Sequence, residues 1–149
     1  DFVDGKKGVL ITDSTLVNDE SNFGYHIQNN RIISGIHLKE GIILKDQDLR
    51  MENLFKQGNI IRFYNKSLVL IDPSFNCYPA QSKFKTDFLL LSHNPDITIS
   101  ELAATFDFDL IVIDNSNSYW KSNQWIKECE QSGIHFYSIR NNGAWELQI

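Results

Sequence analysis

Asp87-Phe88-Leu89-Leu90-Leu91-Ser92-His93-Asn94-Pro95 is the stretch on which the fold of this chain turns. An amphipathic strand would alternate apolar and polar residues; the unbroken run from Phe88 to Leu91, bounded by polar residues, marks a strand buried on both faces. The pattern returns at Asp109-Leu110-Ile111-Val112-Ile113. Between the two runs, Asn94-Pro95-Asp96 breaks the chain and Thr98-Ile99-Ser100-Glu101 supplies a capping box for a helix reaching Thr105. After the second run, Trp120 to Ser132 reads as an amphipathic helix, with Trp125, Ile126 and Cys129 on one side and Gly133 as its stop. Strand, helix, strand, helix, strand is the signature of parallel neighbours with helices on at least one face.

Outward from this centre the chain reads as hairpins. Asn59 to Tyr64 and Ser67 to Ile71 flank Asn65-Lys66, which predicts a hairpin with a two-residue turn. Gly8 to Thr12, following Asp4-Gly5, is expected to be the second strand of a shorter one. Asp13 to Asn22 is polar. From Phe23 to Leu44 the signals conflict: Phe23, His26 and Ile27 have helical spacing, while Ile32, Ile33, Ile36 and Ile42, Ile43, Leu44 fit helix or strand. Asp48 to Lys56 is short and charged and reads as a turn of helix or a loop. At the other end, Ile134 to Ile139 and Ala144 to Ile149 flank Asn141-Asn142-Gly143, which predicts a closing hairpin. The fold class is α/β, a mixed β-sheet with hairpins and two strand-helix-strand crossovers.

Composition sets the bounds. A chain of 149 residues is of ordinary single-domain size and can bury roughly two-thirds of its unfolded surface. With 42% hydrophobic and 12% aromatic residues it has the material for a packed core, unlike a disordered segment. Its net charge of −5 repels nucleic acid at long range, so any such contact needs a local basic patch. None is visible; the closest groupings are Lys6 with Lys7 and Lys83 with Lys85. Cys77 and Cys129 stand far apart without neighbouring cysteines, so neither a disulfide framework nor a zinc ribbon is encoded. No stretch approaches the roughly 20 apolar residues a membrane helix requires, so a soluble chain is expected. The start at Asp1, without initiator methionine or signal peptide, leads to the expectation of a fragment of a larger membrane protein.

Three segments carry a resemblance. Asn59 to Asp72 resembles a strand pair ending in a metal-proximal aspartate. Asp87 to Pro95 resembles the strand running into a paired-histidine motif. The tail from Asp109 through Gly143 resembles a last crossover, with Asp114-Asn115-Ser116-Asn117 at the site loop and Gly133-Ile134-His135-Phe136-Tyr137 near its end. Together they are similar to the C-terminal metallo-β-lactamase-like domain of the ComEC DNA-uptake family, in a branch that lacks the metal site. The resemblance implies a reduced metallo-β-lactamase-like domain spanning 1–149, with a divergent part at 1–58 and the family-like part at 59–149. It also implies an extracytoplasmic, periplasmic position beside the transmembrane part of the same inner-membrane protein.

The departures from that pattern bear on chemistry. The fold's main cluster of histidines and an aspartate should follow the strand ending near Asp13, and it is missing. Of the paired histidines only His93 remains, next to Asn94. Zinc requires three or four converging ligands, usually with two from one short segment. The remaining candidates for a vestigial site are Asp72, His93, Asn94, Asp114 and Ser116, and no residue is assigned as catalytic, cofactor-binding or metal-ligating. Each candidate has a plainer reading: a turn-forming aspartate at Asp72, a hydrogen-bonded structural histidine at His93, and a turn and helix cap over Asp114 to Ser118. A Ser92-His93-Asp114 triad lacks the glycine-flanked elbow a nucleophilic serine occupies. His26, His37 and His135 lack metal spacing, and Phe63, Tyr64, Trp120, Trp125, Phe136 and Tyr137 are more readily core residues than base-stacking platforms.

The expected function is a non-catalytic scaffold or guide for DNA or a partner at the mouth of a ComEC-like channel. No cofactor is expected, and single-stranded DNA is a candidate partner. Two alternatives stay open: a metal-dependent DNA phosphodiesterase using Asp72, His93 and Asp114, and a pure protein-interaction module with an exposed apolar patch.

Overall fold

The computed structural model describes residues 1–4, 7–12, 42–78 and 81–148. The chain divides into two compact units, Asp1–Gly58 and Asn59–Ile149.

In the first unit, β1 (Phe2–Asp4) runs antiparallel to β2 (Lys7–Thr12), with Phe2 opposite Val9. This is the pairing expected around Asp4-Gly5, although the turn itself lies outside the described residues. β3 (Ile42–Leu44) lies parallel to β2. The polar stretch from Asp13 and the ambiguous one from Phe23, up to residue 41, also lie outside the described residues. β4 (Leu49–Arg50) and β5 (Leu54–Gln57) pair antiparallel, which corrects the reading of Asp48 to Lys56 as helix or loop. The strand was disguised by a lysine at an inward position. Leu54 and Lys56 are both buried, and the Lys56 ammonium donates to the carbonyls of Gln47, at 2.8 Å, and Gly58, at 2.9 Å. Burial lowers its pKa, against the opposing pull of Asp48 and Asp46.

The second unit is built on a mixed sheet. β6 (Ile60–Phe63) and β7 (Lys66–Ile71) form the expected hairpin, but Phe63 pairs with Lys66, so the turn is Tyr64-Asn65 rather than Asn65-Lys66. Tyr64 adopts the left-handed conformation this turn requires, with φ of 52°. A short β8 (Phe84–Lys85) follows, and then β9 (Phe88–Leu91), which pairs parallel with β7. Helix α1 (Ile99–Thr105) opens with the anticipated capping box: the Thr98 hydroxyl accepts from the Glu101 amide, and the Glu101 carboxylate accepts from the Thr98 amide. β10 (Phe106–Asp107) pairs parallel with β8, a two-stranded element too short to leave a periodic signal. β11 (Leu110–Ile113) then lies parallel to β9. Helix α2 (Tyr119–Ser132) ends at Gly133, whose φ of 66° is the left-handed cap that favours glycine. β12 (Phe136–Ser138) pairs parallel with β11. The strands of this unit thus run in the order β12-β11-β9-β7-β6, and both crossovers join parallel neighbours.

The closing hairpin is not formed. β12 runs directly into the single-turn helix α3 (Ile139–Asn142), capped by Gly143, and residues 143–148 are not a strand. The Asn141-Asn142-Gly143 turn signal is real, but the helix consumes it. The chain beyond turns back onto the sheet: the Tyr137 hydroxyl donates to the carbonyls of Asn142 and Ala144, and Trp145 sets its ring edge-on to Phe88 at 4.9 Å.

Burial explains the apolar runs. Leu89, Leu91, Ile111 and Val112 are fully inaccessible, and Trp125 of α2 is equally buried, its indole donating to the Ile97 carbonyl at 2.8 Å. Glu128 of α2 accepts from the Ile99 amide at 2.9 Å, tying the start of α1 to α2. Where β9 begins, the Asp87 carboxylate accepts from the Ser67 amide and hydroxyl, each at 2.8 Å, and from the Lys66 ammonium at 2.9 Å. Burial pushes its pKa up, but the bonds from Lys66 and Ser67 outweigh that effect and hold it below the usual aspartate value. A carboxyl with a lowered folded pKa stabilises the protein above its unfolded pKa, and that stability is lost as pH falls through the folded value. Asp87→Asn should therefore cost about 1.5–3 kcal/mol at neutral pH and flatten the acid limb of stability against pH, measured by urea unfolding.

Both cysteines are free. Burial, with Glu128 and Glu130 adding to it, pushes the Cys129 thiol up to about 12. Because the thiolate is the reactive species, Cys129 should resist alkylation in the native protein at pH 8 and react only on unfolding. Peptide mapping after brief and denaturing treatments checks this.

Candidate functional site

The carboxyl ends of parallel strands are where α/β sheets collect their sites. Here β7 delivers Asp72, β9 delivers Ser92, His93 and Asn94, and β11 delivers Asp114 to Ser118. The two loops after β9 and β11 are interlocked. The Ser116 hydroxyl accepts from the His93 amide at 3.0 Å, and the Asn117 side-chain carbonyl accepts from the Asn94 amide at 2.8 Å. In return, the Asn94 side-chain carbonyl accepts from the Ser118 amide at 2.6 Å. The Asn117 side-chain nitrogen donates to the carbonyls of Leu91, at 2.7 Å, and Asp114, at 2.9 Å.

This lock holds an unusual backbone. His93 and Asn94 are consecutive non-glycine residues in the left-handed region, with φ of 61° and 57°. Each such conformation costs about 1–2 kcal/mol for a residue with a Cβ, less for asparagine. The bonds from Ser116 and Asn117 to the two strained amides offset that cost.

The side chains sort as follows. Asp72 is buried, and one of its carboxylate oxygens accepts from the Ser74 amide at 3.0 Å and the Ser74 hydroxyl at 2.5 Å, an Asx turn. The Asp114 carboxylate accepts from the Ser116 amide at 3.2 Å, a second turn of the same kind. The helix cap after it is Ser118, whose hydroxyl accepts from the Lys121 amide. Ser92, buried, has its hydroxyl 2.6 Å from His93 Nδ1 and 3.3 Å from the Ser116 hydroxyl. The Ser92–His93 contact has the distance of a nucleophile–base pair, but the adjacent amides that would serve an oxyanion, those of His93 and Asn94, are already held by Ser116 and Asn117.

The arrangement therefore brings His93, Asn94 and Ser116 together with Ser92, while Asp72 and Asp114 each close a turn. Among the described residues, no group of three or more His, Cys, Asp and Glu side chains is placed to hold a metal ion. This donor set falls short of the three or four converging ligands that zinc requires. His26 and His37 lie outside the described residues, and His135 is exposed at the start of β12.

The roles of two residues central to the lock were not read from the sequence. Asn117, only 1% exposed, is the hub; the sequence placed it in the loop Asp114-Asn115-Ser116-Asn117 but gave no sign that it, among small polar neighbours, would be the buried one. Arg140 reaches from α3 to donate to the carbonyls of Asn115, at 3.1 Å, and Asn117, at 2.7 Å. It lies in the segment read as a hairpin, which concealed it. Among the described residues, no helix is long and apolar enough to cross a membrane.

A family model described as the ComEC C-terminal domain matches residues 1–149. No curated protein and no solved structure matches.

Asn117→Ala removes two donated bonds and one accepted bond at a buried position, and should cost roughly 2–4 kcal/mol because the partners are left unsatisfied. Arg140→Ala, at an exposed residue, should cost about 1 kcal/mol. Urea unfolding of both variants against the parent checks the order.

Proposed function

The chain belongs to the ComEC C-terminal domain family, and from that premise we propose that it is the non-catalytic extramembrane module of a ComEC-like DNA-uptake protein. It serves as a scaffold or guide for DNA or a partner at the mouth of the channel, on the extracytoplasmic, periplasmic side, next to the transmembrane part of the same protein. The fold it adopts for this role is a reduced metallo-β-lactamase-like domain, with 1–58 as a divergent part and 59–149 as the family-like part.

One observation supports the loss of catalysis above the rest. The polar groups at the strand ends bond to one another instead of converging on an open centre: Asp72 to Ser74, Ser116 and Asn117 to the amides of His93 and Asn94, and Asn94 to Ser118. Hydrolysis of a phosphodiester at such a site needs charge to be presented to the transition state, by a metal or by preorganised donors. In this chain the donors in question already have acceptors. The same bonds suit a scaffold, because they make a rigid rim from loops that would otherwise be mobile.

Elemental analysis of protein purified without chelator, followed by incubation of labelled single-stranded DNA with added manganese or zinc, tests the reading. It should find well under one equivalent of bound metal and no cleavage above the buffer rate. Stoichiometric metal with cleavage that disappears in Asp72→Ala and His93→Ala would replace the scaffold with a phosphodiesterase.

A further inference from the structure

Among the described residues, Ser122 Oγ, Ser138 Oγ and Gln124 Oε1 are buried atoms with no hydrogen-bond partner in the protein. The two serines are the most sequestered, at 3% and 2% exposed. Serine inside a helix ordinarily bonds back to a carbonyl one turn earlier, and serine at an N-cap ordinarily accepts from an amide of the first turn. Ser122, in the first turns of α2, does not do the first, and Ser138, at the N-cap of α3, does not do the second. Topology sets the two hydroxyls against each other. Ser122 continues the stripe of α2 that buries Trp125 and Cys129, and these share one core cluster with Ile111 and Ile113 of β11. Ser138 is in register with Ile113, and Phe136 with Ile111, so these side chains leave the sheet on the α2 face. The levels agree along the axis as well: from Ser122 to Gly133 at ~1.5 Å per helical residue, and from Gly133 to Ser138 at ~3.3 Å per extended residue, both spans come to about 17 Å. Arg140, just beyond Ser138, donates to the Asn117 carbonyl at 2.7 Å and closes the same corner. Gln124, two positions on from Ser122, points to a different side of α2.

We propose that an ordered water molecule is bound between the N-terminal part of α2 and the end of β12, bridging the hydroxyls of Ser122 and Ser138. A buried hydroxyl without a partner keeps the full cost of leaving water, and a buried water that takes two to four polar partners removes it. The two hydroxyls, each both donor and acceptor, supply two of those partners. Both are small side chains where the same helix stripe otherwise carries Trp125 and the same strand Phe136, which leaves room for a molecule of that size. The water ties α2 to β12 beneath the loop from Asp114 to Ser118, and it stands or falls independently of the scaffold reading.

The test combines high-resolution crystallography of the 149-residue protein with urea unfolding of Ser122→Ala, Ser138→Ala and the double variant. The parent should show one density peak within hydrogen-bonding distance of both Oγ atoms. Each single variant leaves the water with one partner fewer and should raise the unfolding equilibrium constant about fivefold. The double variant releases the water and should raise that constant by clearly less than the product of the two single effects. Hydroxyls that are merely orphaned predict the opposite sign, because alanine then removes a buried polar group at no loss. No peak, single variants as stable as the parent or more so, or single effects that simply multiply in the double variant would each overturn the proposal.

Discussion

β9 is buried at Phe88, Leu89 and Leu91 and half-buried at Leu90, and the backbone groups of so covered a strand need partners within the protein. Its ends are therefore secured by neighbours. At the start, the Asp87 carbonyl accepts from the amides of Asp109 and Leu110, and its carboxylate holds Ser67 and Lys66. At the finish, the Leu91 carbonyl accepts from the Asp114 amide and from the Asn117 side chain, and the Ser92 amide donates to Ile71. Satisfying that central strand aligns β7 and β11 beside it and fixes where their loops emerge.

The character of the candidate site follows. Once Asn117 is recruited to the last carbonyl of β9, its remaining acceptor is aimed at the Asn94 amide, and Asn94 in turn holds Ser118, the cap of α2. One set of bonds ends a strand, stabilises two left-handed residues and begins a helix. A hydrolytic metal centre would need converging ligands and an open position there. Here the same location is filled by amides and hydroxyls bonded to each other. Membership in the ComEC C-terminal domain family connects the chain to DNA uptake.

The parts of the fold written in the sequence are those with a strong local cause. Phe88 to Leu91 and Leu110 to Ile113 have no other stable destination than a covered sheet. Thr98 with Glu101, and Gly133 after Ser132, are caps whose chemistry is local. The failures have equally physical reasons. Lys56 hides a strand because its ammonium, though on an inward position, is satisfied by the backbone carbonyls of Gln47 and Gly58. Asn141-Asn142-Gly143 signals a change of direction but not its type, and packing of Trp145 on Phe88 belongs to tertiary structure. At the site, the residues near strand ends were legible as His93, Asn94, Asp114 and Ser116, whereas the roles of Asn117 and Arg140 depend on which loops become neighbours. Composition carries no record of that.

Native-state hydrogen exchange at the amides of His93, Asn94 and Ser118 measures the lock most directly. These residues sit in exposed loops, where amides ordinarily exchange rapidly. If reciprocal bonds close the strand ends, the three amides should be protected to nearly the same degree as those of β9 and β11. Exchange at the rate of unprotected loop amides, with the strands still protected, would contradict the account and leave an open, adaptable rim in its place.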